Sequence, residues 1–559
     1  MTINNITKFI RKYIVEIALI TFSLIFSSWL MFSTFSYDNG HMLIASKAWS
    51  DFGSHIPLIR SFSYGVNFPP QYPLFPGEPI KYHFIFYALV GIIEKTGLRI
   101  DFALNILSIL GFASLILMIY FFTKKLFSSK AIAVLSAIFF LFNGTLSFIY
   151  FLKEHSLSLN FINEIITNSK FPSFAPYGDG VVSAFWNLNI YTNQRHLAMS
   201  YALSLLILYI FLLPMFKNLP AGKAGKKINY KTSILLGIVL GLSYFFHMAV
   251  FLMTIIIIFS LSILIRKLKF SGLLILIFAG LFAFPQYYWQ QTNGAGIGSS
   301  KINFNPGYLI SNSLNFGNFI NYWFANLGLH FILIPLGFIF SPLKSKKILI
   351  AFLTLFIIGN LFQFSLEIAA NHKFFNYFMI IGNMFSAFFL VFIWKKNILL
   401  RPLVCIFIFL LIFSGIIDFF PIYNDYKISL ADYPVNKDIS WIMKNTSSNT
   451  IFLNSSYLYD SASLAGRKIF FGWPYFAWSQ GYNTLKRSEE IKSLFEEKDK
   501  KNVCKYLIKH NLSYVSLTNP SNDFPFDRNF WQENFKPVYS DNKINSITIY
   551  DTKASCNNI

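Results

Sequence analysis

The sequence predicts a polytopic, all-α membrane protein that carries a small α/β soluble domain at its C-terminal end. Three observations predict it. Of 559 residues, 54% are hydrophobic and only 13% are charged, against about 25% charged in an ordinary soluble domain. Apolar runs of bilayer-spanning length recur along the chain as far as about residue 420. The basic residues fall in short clusters between alternate runs. Together these exclude a soluble globular enzyme and a disordered chain. The net charge of +22 would elsewhere suggest nucleic acid, but its placement between apolar runs argues against that partner. The 67 Phe, 30 Tyr and 10 Trp suit lipid-facing and interfacial surfaces.

A spanning helix needs roughly 17–25 apolar residues. Runs of this kind occupy about 14–36, 101–123, 131–152, 197–216, 271–289, 323–342, 348–368, 374–394 and 398–418. The run 232–265 is too long for one span and reads as two short spans turning near Ser243 to His247. The total is about eleven. Basic clusters mark inside loops. They are Lys8/Arg11/Lys12, Lys124/Lys125/Lys130, Lys217/Lys223/Lys226/Lys227/Lys231, Arg266/Lys267/Lys269, Lys344/Lys346/Lys347 and Lys395/Lys396/Arg401. Their alternation predicts an inside N-terminus and an outside tail in the plasma (inner) membrane. Residues 83–93 are apolar but too short to span, and 82–96 reads as a helix lying at the outer interface. The first outer loop then runs from about 37 to 100, within a transmembrane domain of 1–420. Glu16, near the inner end of the first span, reads as a carboxylate reaching for the interface.

Past residue 420 the composition changes. Residues 421–559 hold 14 acidic and 17 basic residues and no spanning run. TIFLN (450–454), KIFFG (468–472), SYVSLT (513–518), KPVYS (536–540) and NSITIYD (545–551) read as strands. RSEEIKSLFEE (487–497) and NVCKYLIKHN (502–511) read as helices. The mixture predicts one small α/β domain outside the membrane. It has no phosphate loop and no nucleophile elbow. Cys504 and Cys556 could be bridged if the tail lies in an oxidising compartment.

Polar residues beside a membrane are functional candidates. The first outer loop holds Asp38, Asp51, His55, Arg60, Glu78, Lys81 and His83. A carboxylate can act as general base on a hydroxyl, and cations can hold a phosphate. Asp38 could instead cap a helix over 39–50. Asp51 and His55 are neighbours whether the helix starts before them or near Ser54. Glu78 and Lys81 could be an exposed ion pair, and His83 an interfacial anchor. A second cluster, YTNQRHLAMSY (191–201), brings Arg195 and His196 to the start of a span. His247 lies at the tip of the short hairpin. In IAANHKFFNYF (368–378), His372 and Lys373 sit at the outer end of another span. Trp473 and YFAWSQGYN (475–483) could stack on a sugar or fill the tail's core.

These residues resemble the C-type glycosyltransferase superfamily, whose members include protein O-mannosyltransferases and aminoarabinose transferases of lipid A. FPGEPIKYHFIFYAL looks like that superfamily's Pro-containing aromatic run before an interfacial helix. SDFGSH, TNQRH and NHKFFNY look like clusters of an uncharacterised bacterial branch. The usual Asp-Glu pair after the first span is absent, since Asn39 follows Asp38. The resemblance implies a polyprenyl-phosphate sugar donor, an acceptor hydroxyl on a glycan, lipid or protein, and an inverting transfer with Asp51, or alternatively Asp38, as base. Arg195 and Lys373, with His196 and His372 beside them, would stabilise the departing phosphate, and Arg60 or Lys81 stand in reserve. His55 would support Asp51. Some relatives use a divalent metal (Mg, Mn or Zn), for which Glu78, His83 and His247 could supply ligands; no other cofactor is implied. A transporter or lipid flippase and a non-catalytic envelope assembly protein are the readings from other classes.

Overall fold

The computed structural model describes residues 3–155, 157–173, 181–216, 229–292, 302–310, 313–433, 435–518, 523–541 and 547–557. The inside cluster Lys217, Lys223, Lys226 and Lys227 lies outside them. The chain divides into two compact units. One comprises Met1–Thr34, Asn105–Pro285 and Ile302–Tyr426; the other comprises Phe35–Leu104, Gln286–Lys301 and Lys427–Ile559.

The first unit is a helical body. Across the described residues, six helices are long and apolar enough to cross a membrane: Lys12–Thr34, Ile100–Phe127, Arg195–Phe216, Arg266–Gln291, Ile368–Lys396 and Ile398–Tyr423. A seventh span arises if Phe316–Leu327 and His330–Phe340, bent by 89°, count as one. Lys130–Leu141, Tyr230–Leu242 and Met248–Leu264 are shorter apolar helices. The run 131–152 breaks: its helix stops at Leu141, and a separate short helix, Phe148–Glu154, follows. The polar Asn143 and Thr145 explain the break, because their side chains bond each other and the buried Asp418 and Ser147 rather than continuing a helix. The run 232–265 forms two short helices, Tyr230–Leu242 and Met248–Leu264. The turn falls over 243–247, and the His247 side chain caps the second helix.

Burial separates central from peripheral helices. Ile368–Lys396 is 72% buried over its most apolar stretch, whereas Lys12–Thr34 is 28% buried and turns Ile14, Ile17 and Ile25 outward. In a bilayer such outward apolar surface needs no protein partner. Glu16 does not stand alone at an interface. It accepts from Lys124 Nζ at 2.6 Å, Lys130 Nζ at 3.0 Å and Tyr120 Oη at 3.0 Å. The carboxylate thus ties the first helix to Ile100–Phe127 and to the start of Lys130–Leu141.

The second unit is α/β. A three-stranded antiparallel sheet has the order Phe35–Asp38, His41–Ala45, Lys427–Ala431. The helix over 39–50 that an Asp38 cap would begin is absent; the chain turns back as a hairpin instead. The reason is the pair Asn39-Gly40, with φ +45° and +81°, the left-handed pair that a tight hairpin turn requires. The expected interfacial helix 82–96 forms as Ile85–Lys95. A five-stranded sheet has the order Lys468–Ile469, Ile451–Asn454, Tyr514–Thr518, Ile547–Asp551, Pro537–Ser540. The first three strands run parallel and the last two pairings are antiparallel. Helices Thr484–Glu496 and Lys500–Lys509 accompany it, and Cys504 is bonded to Cys556.

The loop 37–100 belongs with 427–559 and not with the spanning helices. One physical cause is a buried charge cluster. Arg60 lies 3.0 Å from Glu94 and 2.7 Å from Asp432, and Ser63 donates to Glu94 at 2.6 Å.

Candidate active site residues in each unit

In the second unit, Asp51 occupies the first turn of the helix Trp49–Ser63, one turn before His55. Every residue from Phe52 to Ser61 on this helix is buried, while Asp51 is half-buried. The partial positive charge of a helix N-terminus favours a carboxylate there. The helix holds Pro57, yet starts at Trp49 rather than near Ser54. The carboxylate's charge bears on Tyr82 and Tyr459. Tyr459 packs against Trp49 with ring centroids 4.1 Å apart and donates its hydroxyl to the Trp49 carbonyl. Burial first, and the Asp51 charge second, raise the hydroxyls of Tyr459 and Tyr82 above their ordinary range, so both remain protonated donors. Tyr459 has φ +54°, a strained backbone for a bulky residue and a frequent mark of functional sites. The sequence did not single out Tyr82, which lies within FPGEPIKYHFIFYAL, or Tyr459, which is 408 positions from Asp51.

His55 is 4% exposed and stacks on Tyr87 at 4.5 Å, so it anchors its helix against Ile85–Lys95. Asp38 is exposed in the hairpin turn, where Asn39 Nδ2 donates to it at 3.2 Å. The two cations held in reserve, Arg60 and Lys81, are both paired with carboxylates. Arg60 is 1% exposed, and although burial opposes its charge, Glu94 and Asp432 hold the guanidinium protonated above its usual value. It is a structural ion pair. Lys81 pairs with Glu78 at 2.8 Å, donates to the Gly481 carbonyl at 3.2 Å and lies 4.5 Å over the Tyr482 ring. That same pairing occupies Glu78, one of the expected metal ligands. His83 is buried, with its ring 3.7 Å from that of Tyr82.

In the first unit, Arg195 opens the helix Arg195–Phe216 and is 1% exposed. Its guanidinium donates to the carbonyls of Thr192 (2.6 Å) and Met31 (3.3 Å), to Asn105 Oδ1 (3.2 Å) and to Thr34 Oγ1. These neutral acceptors come from three helices. His196 and His247 are buried with ring centroids 5.0 Å apart. His247 Nδ1 accepts from the Val250 amide at 3.4 Å. His372 is also enclosed: it stacks on Phe185 at 4.7 Å and its Nδ1 meets Asn376 Oδ1 at 2.8 Å. Lys373 is half-buried at the start of the same helix, and its charge bears on His247 and His372.

No family model matches the chain, and no curated protein matches it. Of the solved structures, the chain is similar to the crystal structure of ArnT from Cupriavidus metallidurans in the apo state. The identity is 10%, the match covers 97% of this chain and 98% of that one, and the TM-score is 0.49.

Proposed function

We propose that the chain is a membrane glycosyltransferase. It moves a sugar from a polyprenyl-phosphate donor to an acceptor hydroxyl at the outer face of the membrane, with inversion. The observation that carries this reading is the setting of Asp51: a half-buried carboxylate on a buried helix, beside Trp49, Tyr82 and Tyr459. A carboxylate so held can take the acceptor's proton, and aromatic faces suit a sugar ring. The acceptor oxygen attacks the anomeric carbon, the bond to the phosphate oxygen breaks, and its electron pair leaves with the lipid phosphate. A cation would stabilise the departing phosphate, and Arg195 and Lys373 are the residues proposed for it. The Cys504–Cys556 bond supports an extracytoplasmic second unit, since disulfides persist in oxidising compartments. The acceptor is a glycan, a lipid or a protein.

Asp51→Asn is expected to lower transfer from a polyprenyl-phosphate sugar by about 10²–10⁴-fold while protein abundance in the membrane is unchanged. Full activity in that variant overturns the assignment. The same assay in chelator, with Mg, Mn or Zn restored, tests the metal requirement. A flippase reading draws on the 89° bend between Phe316–Leu327 and His330–Phe340, because discontinuous helices line many transporter sites. Translocation of a labelled polyprenyl phosphate in proteoliposomes, with no transfer activity, would favour it.

A further inference from the structure

The second unit carries an exposed aromatic face that the chemistry assigned to Asp51 does not use. Trp473 is 38% exposed, Tyr475 47% and Trp478 38%. Single exposed apolar side chains are ordinary, but three large ones within six residues form a patch, and patches mark interaction sites.

The sheet explains where this patch stands. Its three parallel strands lie in the order Lys468–Ile469, Ile451–Asn454, Tyr514–Thr518. From the central strand the chain goes first to one neighbour and then crosses to the other, so the strand order reverses beside Ile451–Asn454. Ligands of open α/β sheets bind outside the carboxyl ends of the strands at such a reversal. Tyr457 follows the carboxyl end of the central strand, Trp473 that of Lys468–Ile469, and Asp523 that of Tyr514–Thr518. The three meet there. Trp473 packs against Tyr457 with ring centroids 6.1 Å apart, and the Tyr457 amide donates to Asp523 Oδ2 at 2.8 Å. Tyr475 and Trp478 have ring centroids 6.0 Å apart.

The backbone beneath the rings is fixed. The Gly472 amide donates to the Leu74 carbonyl at 2.8 Å, and a Cβ on Gly472 would stand 2.6 Å from Leu74 Cβ. Behind the short helix Pro474–Ser479, the Tyr482 amide donates to the Ala477 carbonyl at 3.1 Å and its hydroxyl to the Pro79 carbonyl at 3.1 Å. Rigid Trp and Tyr rings supply contact area at little cost in conformational entropy.

Composition selects the occupant. Residues 455–459 and 470–484 contain no Asp, Glu, Lys or Arg, and the charge that joins them, Asp523, is negative. A phosphate group finds no cation in these segments. Contact with acyl chains favours aliphatic side chains, such as Leu89 and Ile92 on the helix Ile85–Lys95, whereas 473–478 exposes none. Indole and phenol rings offer an apolar face and a polar edge. A pyranose ring matches both, with C–H groups on its face and hydroxyls on its rim, and a carboxylate accepts from hydroxyls.

We propose that Trp473, Tyr475 and Trp478, with Tyr457 and Asp523, form an open platform that binds an uncharged glycan chain. Binding there does not depend on transfer at Asp51. The test uses the full chain in lipid nanodiscs. Fluorescently tagged maltohexaose, mannohexaose, cellohexaose and N-acetylchitohexaose are compared with hexagalacturonate by anisotropy, each corrected for empty nanodiscs. At least one neutral hexasaccharide is expected to bind saturably, at least tenfold more tightly than hexagalacturonate. Trp473→Ala and Tyr475→Ala are each expected to weaken that binding at least tenfold. Absence of saturable binding by all four neutral hexasaccharides overturns the proposal. So does binding unchanged in a variant that reaches the membrane, or equal binding of hexagalacturonate. Two other occupants would also overturn it. A bimane at Trp473→Cys, in a Cys405→Ser background, that is quenched by spin-labelled lipid and not by aqueous iodide assigns the face to the membrane. Two chains per nanodisc that become one in Trp473→Ala assign it to a second copy. Loss of transfer in Asp51→Asn alters none of these readings.

Discussion

Arg60 and Arg195 are both fully buried guanidinium groups, and their surroundings give them different work. Arg60 faces two carboxylates, Glu94 and Asp432. Removing one partner of a buried pair costs about 3–5 kcal/mol, because it strands the others without water or counter-charge. Arg60→Ala is therefore expected to lower the thermal stability of the purified protein by that order, with donor KM unchanged. A raised donor KM at unchanged stability would return Arg60 to phosphate binding. Asp460 offers a pH-dependent measurement. It is buried and caps the short helix Ser461–Leu464, its carboxylate accepting from the Ala462 amide at 2.8 Å. Burial pushes its carboxyl up from 3.8 to about 7. The folded state thus holds a proton that the unfolded state has released between those values. Its contribution to stability is full below about pH 4 and is lost as pH rises through 7. The change is on the order of 4 kcal/mol. Thermal unfolding from pH 4 to 8 should show this decline, and Asp460→Asn should flatten it.

At the scale of the element, the hairpin after the first span shows how a short signal outweighs a long one. The residues 39–50 carry enough helix formers to suggest a helix capped by Asp38, but Asn39-Gly40 turns the chain into a strand that pairs with Lys427–Ala431. At Gly40, φ is +81° and an added Cβ would stand 2.1 Å from Val435 Cγ2. Gly40→Val is expected to destabilise the protein by about 1–3 kcal/mol, read as a lower unfolding temperature. Unchanged stability would mean the turn relaxes freely. The Asn-Gly pair was legible in the sequence as turn chemistry. The break after Leu141 was less so, because Asn143 and Thr145 are two polar residues in a long apolar stretch and their partner Asp418 comes from another helix.

For the whole molecule, the disulfide is the most direct measurement of compartment and stability. It closes a loop of 52 residues, for which the chain-entropy estimate is about 4 kcal/mol. Cys504→Ser with Cys556→Ser should lower the unfolding temperature of the second unit accordingly. In intact cells, Cys504 and Cys556 should react with a membrane-impermeant maleimide only after reduction. Labelling of both without reductant would remove the bond, and with it the support for an extracytoplasmic second unit.

The sequence by itself determined the membrane class, the helices that make up the first unit and the strands and helices of the tail. Those properties are local: hydropathy over some twenty residues, charge in adjacent loops and alternation along a strand. Only the tertiary structure decided which candidate cations are paired with carboxylates and that 35–104 belongs with 427–559. Arg60 bonds a residue 372 positions away and Lys81 one 400 positions away. Whether a charge is spent on such a partner depends on burial and distance, which one-dimensional order does not contain.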